Sequence, residues 1–266
     1  RKHMPRKENR PKVGKPTRSN VRHATKAEAF EANRASTAAS VRKLRASAID
    51  CAIPEWRMPS DRRASCRLDL AAFIREYLPA RFPLPMSGDH LTALTRMQEA
   101  ILTGGQYAQA APRGDGKTER TIAAVLWATL YAHRRFVPVL GADLNAAKSI
   151  VQEIHAELAN NERLMEDWPQ VCYPFAEVLA NPNRARFLTH NGKPLQMEAK
   201  THRLVFPSPS VDVVDPACGA IVLAKGLTSS LRGLRHKQKN GATIRPDLAV
   251  IDDPQTDESA NSPEQC

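Results

Sequence analysis

Apolar residues recur at helical spacing in several stretches of the chain, and short apolar runs lie between them. The helical pattern predicts helices at 68–79, 89–102, 118–133 and 144–160. The short apolar runs predict strands at 107–112, 135–142, 203–208, 219–226 and 248–254. The third helix carries few polar positions, which is typical of a helix packed on a sheet. Strands that alternate with helices indicate an α/β fold with a mainly parallel central sheet flanked by helices.

The positive charge of the chain is concentrated near its beginning. Residues 1–67 hold 18 Lys/Arg and 6 Asp/Glu, whereas residues 68–266 hold 21 and 22. Residues 1–26 have almost no large apolar side chains, so we expect disorder there, and the alanine-rich stretch 27–49 favours a basic helix. We therefore divide the chain into a basic arm, 1–67, and one globular domain, 68–266. The arm is either a solvated tail or an electrostatic contact for phosphates or an acidic partner.

The cysteines indicate the redox compartment of the protein, and the length of the apolar runs bears on whether it crosses a membrane. The five cysteines are scattered and lack C-x-x-C spacing, which argues against a disulfide framework or a zinc site and fits a reducing compartment. We find no apolar run of the roughly 18 to 20 residues that cross a membrane, and no signal-peptide pattern. We therefore expect a cytoplasmic protein without a membrane partner.

The stretch AAPRGDGKTER, residues 110–120, ends in the Gly-Lys-Thr of a phosphate-binding loop. The motif G-x-x-x-x-G-K-[ST] begins with glycine, where this chain has Ala111, a small residue that still allows the backbone to turn. Such a loop directs backbone N–H groups and a lysine at phosphates and a hydroxyl at Mg²⁺. A strand before it and a helix after it provide the expected context. The pattern predicts ATP binding by Arg113, Gly114, Asp115, Gly116, Lys117 and Thr118.

Two carboxylates end the apolar run LAVIDDP at 248–254. A nucleotide hydrolase needs a carboxylate for Mg²⁺ and a neighbouring group that orients the attacking water, and we assign these roles to Asp252 and Asp253. Arg113 is a further catalytic candidate, because an arginine in the loop could neutralise charge that develops on the γ-phosphate. The stretch VDVVDPA offers Asp212 and Asp215 as a second acidic pair, but the prolines around it indicate loops.

The chain resembles the ATPase portion of a phage terminase large subunit, the motor that packages DNA into proheads. Four stretches within about residues 80–263 carry the resemblance: PMSGDHL, GGQYAQAAPRGDGKT, GLTSSLRGLRHKQ and RPDLAVIDDPQTDESANSP. The resemblance implies a P-loop NTPase that hydrolyses ATP with Mg²⁺. In this reading Lys117 and Thr118 bind the phosphates and the metal, and Asp252 is the Walker B aspartate.

The sequence offers two candidate residues for each of two roles in the family pattern. The second carboxylate is usually glutamate in terminases, whereas this chain has Asp253, so Glu258 is an alternative for orienting water. Terminases often carry an upstream glutamine that recognises adenine. In the matching helix of this chain, His90 and Gln98 are both candidates for that contact.

The resemblance also implies partners and a location. They are double-stranded DNA, a portal protein, a small terminase subunit and further copies of the chain in a homo-oligomeric ring, at the prohead in a bacterial host cell. In such a ring Arg232, in SSLRGLRHKQ, could reach a neighbour's γ-phosphate, which makes it a third catalytic candidate. A full-length terminase continues into a nuclease domain with acidic metal ligands. This chain carries no such acidic cluster, so we expect ATPase activity without nuclease activity.

Two other functions are compatible with the sequence. The first is another nucleic-acid-dependent ATPase such as a helicase, although the stretch RPDLAVIDDP lacks the D-E-A-D or D-E-x-H pattern of many helicases. The second is a basic DNA-binding or scaffold protein with a degenerate loop. DNA-stimulated ATP hydrolysis that depends on Lys117 distinguishes the motor from the scaffold.

Overall fold

The structure is a computed structural model that describes residues 30–31, 33–39, 42, 48–55, 60–211, 213–227, 229, 233–237 and 241–254. The chain divides into two compact units, Arg1–Ala46 and Ser47–Cys266. In the first unit the described residues between 30 and 42 are helical and exposed, within the alanine-rich stretch for which we predicted a helix. Residues 1–26, for which we expected disorder, lie outside the described residues.

The second unit alternates helices and strands. Its helices are α1 (Asp61–Ser65), α2 (Leu70–Tyr77), α3 (Gly88–Thr103), α4 (Lys117–Leu130), α5 (Leu144–Asn160), α6 (Glu162–Asp167) and α7 (Pro169–Val178), followed by a 3-10 helix at Pro182–Phe187. Its strands are β1 (Ile49–Asp50), β2 (Phe136–Gly141), β3 (Leu188–His190), β4 (Lys193–Pro194), β5 (Gln196–Lys200), β6 (Arg203–Ser208), β7 (Ile221–Gly226), β8 (His236–Lys237), β9 (Thr243–Ile244) and β10 (Val250–Ile251). Helices α2 to α5 and strands β2, β6 and β7 confirm the elements predicted at those positions. In the part of the chain described, no helix is long and apolar enough to cross a membrane.

The main sheet is mixed, so the prediction of a mainly parallel central sheet was wrong. Its strand order is β10-β2-β7-β6-β5. The first three strands are parallel, and β6 and β5 are antiparallel to their neighbours. The connections explain the difference, because a parallel crossover needs a dozen or more residues and usually a helix. Only two residues join β5 to β6, and the described residues between β6 and β7 include no helix.

The strand predicted at 107–112 did not form, and the strand predicted at 248–254 is present but short. Residues 104–112 form neither helix nor strand, and 104–110 are exposed. Their alanine and glutamine side chains offer little apolar surface to a sheet. The strand predicted as buried at 248–254 has only two residues and is the edge strand β10, where Ile251 is 54% exposed. As an edge strand, β10 pairs with a neighbour on one side only, so fewer residues surround it than surround the inner strands.

Helix α4 lies inside the hydrophobic core. Residues 120–130 of this helix are all buried, and the helix contacts α2, α3, α5 and β2. The indole N–H of Trp127 donates to the carbonyl oxygen of Cys66 at 3.0 Å, so its one polar group is satisfied inside the core. The core therefore fixes the position of α4, and with it the end of the loop that precedes the helix.

Arg63 of α1 forms a buried ion pair with Asp215. The two side chains are 2.7 Å apart and retain 11% and 3% of their exposure. The guanidinium of Arg63 also lies over the ring of Trp168, 4.5 Å from its centroid, and Gln170 accepts from the backbone N–H of Asp215 at 2.8 Å. Asp215, considered above as one of a second acidic pair, is thus paired inside the fold, and Asp212 lies outside the described residues.

The neighbouring Arg62 makes a second link from α1, to Asp167 at the end of α6. Its Nε donates to the Asp167 carboxylate at 2.8 Å, and the Tyr77 hydroxyl donates to the same oxygen at 2.5 Å. Burial opposes the charge of Asp167, but the hydrogen bonds from Tyr77, Ser60 and Arg62 hold its pKa below the ordinary value. Two arginines counted with the basic arm by sequence therefore take part in the packing of the second unit.

We predict that Asp215→Ala lowers the free energy of unfolding by about 3–5 kcal/mol, because it leaves the buried Arg63 charge without its partner. Denaturant unfolding followed by circular dichroism measures the change. The control is Glu99→Gln, which breaks the exposed Arg96–Glu99 pair on α3 and costs about 0–1 kcal/mol. Equal stabilities of the two variants would contradict a structural role for the Arg63–Asp215 pair.

Candidate functional site

The loop at 111–116 leads directly into α4. Gly114 and Gly116 have φ angles of 84° and 73°, a conformation that residues with side chains rarely adopt. In α2, α3 and α5 a side chain of the N-cap residue accepts from the first turn, whereas α4 has Gly116 as its N-cap and no side-chain cap. The first N–H groups of α4 and the positive end of its dipole are therefore left for an anion at the loop.

Thr118 and Asp252 are in direct contact although 134 residues separate them in the chain. The hydroxyl of Thr118 donates to one carboxylate oxygen of Asp252 at 2.8 Å, and the hydroxyl of Thr121 donates to the other at 3.2 Å. The backbone N–H of Asp252 donates to Leu140 at 2.9 Å, which continues the pairing of β10 with β2. Because the Thr118 hydrogen points at the carboxylate, the oxygen lone pairs of this hydroxyl can face a cation.

The Thr118–Asp252 pair fits Mg²⁺ by its donor chemistry. A hydroxyl and a carboxylate supply hard oxygen ligands, and Mg²⁺ is usually held by one or two carboxylates together with waters and substrate phosphates. Within the described ranges, no three His, Cys, Asp or Glu side chains gather in a group that could hold a metal alone. These residues therefore suit a cation that is shared with a phosphate ligand.

The side chain of Lys117 hydrogen bonds to the residue at the start of the loop. The Nζ atom of Lys117 donates to the carbonyl oxygen of Ala111 at 2.7 Å. Ala111 occupies the position at which the motif has glycine, so the substitution does not prevent the loop from closing on its lysine. Arg113, between these two residues, is exposed.

Asp115, in the middle of the loop, is bound by two side chains. The guanidinium of Arg120 donates to the Asp115 carbonyl at 2.6 Å and to its carboxylate at 2.5 Å, and Nε2 of His90 lies 2.8 Å from the other carboxylate oxygen. The backbone N–H of Ser87 donates to Nδ1 of His90 at 3.3 Å, so we infer that the neutral ring carries its hydrogen on Nε2. The hydrogen bonds from Arg120 and then His90 hold the pKa of Asp115 below its ordinary value of 3.8.

Of the two residues considered for adenine recognition, His90 lies at the loop. Both of its ring nitrogens have partners within the chain, Ser87 and Asp115. Gln98 lies two turns further along α3, and its side-chain oxygen accepts from the backbone N–H of Leu70 at 2.8 Å, in the first turn of α2. The structure thus places His90 against the loop and Gln98 against α2.

Asp253 is exposed and follows Asp252 with a φ of 42°. Such an angle is uncommon for a residue other than glycine, and Pro254 further disfavours a helical conformation for the residue before it. Strained backbone of this kind clusters at functional sites in proteins. Glu258 and Arg232, the other residues considered for catalysis, lie outside the described residues.

Sequence reasoning missed two residues of this site, Thr121 and Arg120. Thr121 lies three residues after Thr118, a spacing that places both side chains on one face of a helix, and this is the signal that could have revealed it. Arg120 carried no such signal. It is only 3% exposed despite its charge, and only the contact with Asp115 explains its position.

Comparisons of the chain with protein-family models, with curated proteins and with solved structures find no match. A function for this chain therefore has to be argued from its motifs and from the contacts of the site. Two contacts carry that argument: Thr118–Asp252 joins the two motifs, and Asp115–Arg120 joins the middle of the loop to α4.

We predict that the Asp115 carboxyl titrates below pH 3.8 and that His90→Asn moves its midpoint upward, because the variant loses one donor to the carboxylate. Since the folded-state pKa is lowered, the contact is intact above the ordinary pKa and is lost as pH falls through the lowered one. The ¹³C shift of the Asp115 carboxyl carbon measures both midpoints. An ordinary midpoint in the wild-type chain would contradict the contacts described.

Proposed function

We propose that this chain is the ATP-hydrolysing part of a DNA-packaging motor of the terminase type. The contact between Thr118 and Asp252 carries the proposal, because it joins the Gly-Lys-Thr motif to the carboxylate motif at the start of a buried helix. A chance Gly-Lys-Thr sequence has no reason to meet an aspartate 134 residues away. The four stretches that resemble terminases include both of these motifs.

The loop supplies the groups that bind phosphate. The backbone of Gly114–Thr118 and the uncapped first turn of α4 provide N–H donors. Lys117 exchanges its hydrogen bond to Ala111 for one to the terminal phosphates of ATP. Both contributions are electrostatic, and both favour a triphosphate over a less charged ligand.

Asp252 and Asp253 have different roles in the proposed hydrolysis of ATP. Thr118 and Asp252 hold Mg²⁺, which when bound neutralises negative charge on the phosphates. Asp253 orients the attacking water and accepts its proton, with Glu258 as the alternative residue for that role. Arg113, on the exposed side of the loop, stabilises charge on the γ-phosphate in the transition state, and Arg232 of a neighbouring copy is a second candidate for this contact.

The partner that the charge distribution favours is DNA. The unit Arg1–Ala46 holds 14 Lys/Arg and 3 Asp/Glu, whereas residues 47–266 hold 25 of each. The net charge of +11 therefore lies in the first unit, and a basic segment of this kind binds nucleic acid through release of counterions. The resemblance adds a portal protein, a small terminase subunit and a ring of identical chains as proposed partners, in the cytoplasm of a bacterial host.

Lys117→Ala should bind ATP roughly 10- to 100-fold more weakly, because the variant loses a charge-assisted hydrogen bond to phosphate. It should also lose hydrolysis that duplex DNA stimulates. Calorimetry and phosphate release with and without duplex DNA measure the two effects. Lys193→Ala, at an exposed lysine of β4, is the control. Hydrolysis by Lys117→Ala at the wild-type rate would exclude the proposed site.

Asp253→Asn should keep ATP binding and lose hydrolysis, because an amide accepts no proton from the attacking water. Asparagine tolerates the positive φ at this position as well as aspartate does, so the loop keeps its shape. Asp252→Asn should instead raise the Mg²⁺ concentration needed for activity. Full turnover in Asp253→Asn would move the water-orienting role to Glu258.

A further inference from the structure

The connection between α2 and α3 contacts the phosphate-binding loop on both sides of Lys117–Thr118. His90, at the start of α3, binds Asp115, two residues before Lys117. Arg81, in the connection itself, forms an ion pair with Glu119, directly after Thr118, at 2.7 Å. The two contacts therefore bracket the lysine and the threonine that carry the proposed function.

The contact at Arg81 is anchored outside the loop. Its guanidinium also binds Glu153 and Glu157 of α5, at 2.8 and 2.6 Å. Burial opposes the charge of this side chain, which is 15% exposed, but the three carboxylates raise the pKa of Arg81. Arg81 thus stays charged and links the first turn of α4 to α5.

The contact at His90 is anchored as well. Ser87 accepts from the backbone N–H of His90 at 3.2 Å, and the backbone N–H of Ser87 donates to the ring, which together form a capping box. The box sets the direction of the imidazole before it meets Asp115. On the other side of Asp115, the buried Arg120 holds both the carbonyl and the carboxylate.

Packing does little to set the shape of the loop itself. A Cβ atom added to Gly114 or Gly116 would meet no other atom within 4 Å, so open space surrounds both glycines. Both also have positive φ angles, which a free glycine adopts no more readily than the alternatives. The loop therefore needs contacts at its other residues to stay in one conformation. Asp115 provides one within the loop, and Glu119 provides one in the first turn of α4, directly after the loop.

We propose that His90 and Arg81 are positioning residues that brace the loop at two points and so keep Gly114–Thr118 in the shape that accepts phosphate. The proposal rests on the proposed function of the loop. His90 and Arg81 act through Asp115 and Glu119, since both ring nitrogens of His90 and the Nε and Nη1 atoms of Arg81 are bound to protein groups. The brace therefore governs nucleotide affinity and leaves the chemical step unchanged once ATP is bound.

Four variants of the full chain test whether the contacts of His90 and Arg81 hold the loop in its conformation. In His90→Asn the side-chain oxygen can still accept from Ser87 but the side chain is too short to reach Asp115, whereas His90→Gln restores that reach. Glu119→Gln removes the charge that faces Arg81 at the loop. Glu153→Gln is its matched control, because it removes a charge from the same guanidinium on α5.

The first measurement is calorimetric binding of ATP with Mg²⁺, together with the rate at saturating ATP. His90→Asn and Glu119→Gln should each bind ATP roughly tenfold more weakly, the value of one charge-assisted hydrogen bond. Their rates at saturating ATP should stay within about twofold of wild type, because the lost interaction is not specific to the transition state. His90→Gln and Glu153→Gln should bind ATP as the wild-type chain does.

The second measurement needs no nucleotide. Arg113 in the loop and Lys117 at the start of α4 are trypsin sites, and mass spectrometry follows cleavage after each of them. His90→Asn and Glu119→Gln should speed cleavage at these two sites, whereas Glu153→Gln should not, because trypsin cleaves a segment that leaves its folded conformation and a loosened loop does so more often.

The two measurements separate the brace from the function. If the wild-type chain binds no ATP but His90→Asn and Glu119→Gln are cleaved faster, the proposed nucleotide function is wrong and the positioning role of His90 and Arg81 stands. If the wild-type chain binds ATP and both variants match it in affinity and in cleavage rate, the nucleotide function stands and the positioning role of His90 and Arg81 is wrong.

Discussion

The burial of α4 is the constraint on which the site depends. Eleven consecutive residues of this helix, 120–130, are buried against α2, α3, α5 and β2, so the helix has one position relative to the sheet. Its first residues, Lys117 and Thr118, lie just outside the core and inherit that position. Strand β10 is held by β2, which α4 also contacts. The Thr118–Asp252 hydrogen bond follows from these two attachments, and it forms at the end of α4 whose first residues, 117–119, are half-buried.

Five aspartates among the described residues fall into two groups according to their partners. Asp167 and Asp215 are buried and paired with arginines of α1, and Asp247 accepts from the backbone of Arg135 and Phe136 at 2.7 and 2.8 Å at the start of β2. These three stabilise the fold. Asp115 and Asp252 are instead partly exposed and bind side chains of α3 and α4. An acidic residue in a motif such as RPDLAVIDDP can therefore belong to either group, and its partners decide which.

Much of the fold was predictable from periodicity, because long amphipathic segments are determined by local spacing. Helices α2 to α5 and the strands β2, β6 and β7 lie where the pattern placed them. The strand predicted at 107–112 did not form, and β10 is short and exposed, because a strand exists only where a neighbour pairs with it. The mixed sheet was missed for a related reason. Strand direction depends on the connections, and the pattern did not predict β5, which only two residues join to β6.

The residue types of the candidate site can be read from the sequence alone. They are the lysine and threonine of a phosphate-binding motif and a pair of aspartates after an apolar run. These are local patterns, and a few residues of fixed spacing are enough to specify them. Only the tertiary structure decided which groups meet. Asp252 binds Thr118 and Thr121, and Asp115 binds Arg120 and His90, whereas Gln98 binds the first turn of α2. Contacts between residues far apart in the chain depend on how helices and strands pack, and no short stretch of sequence encodes that packing.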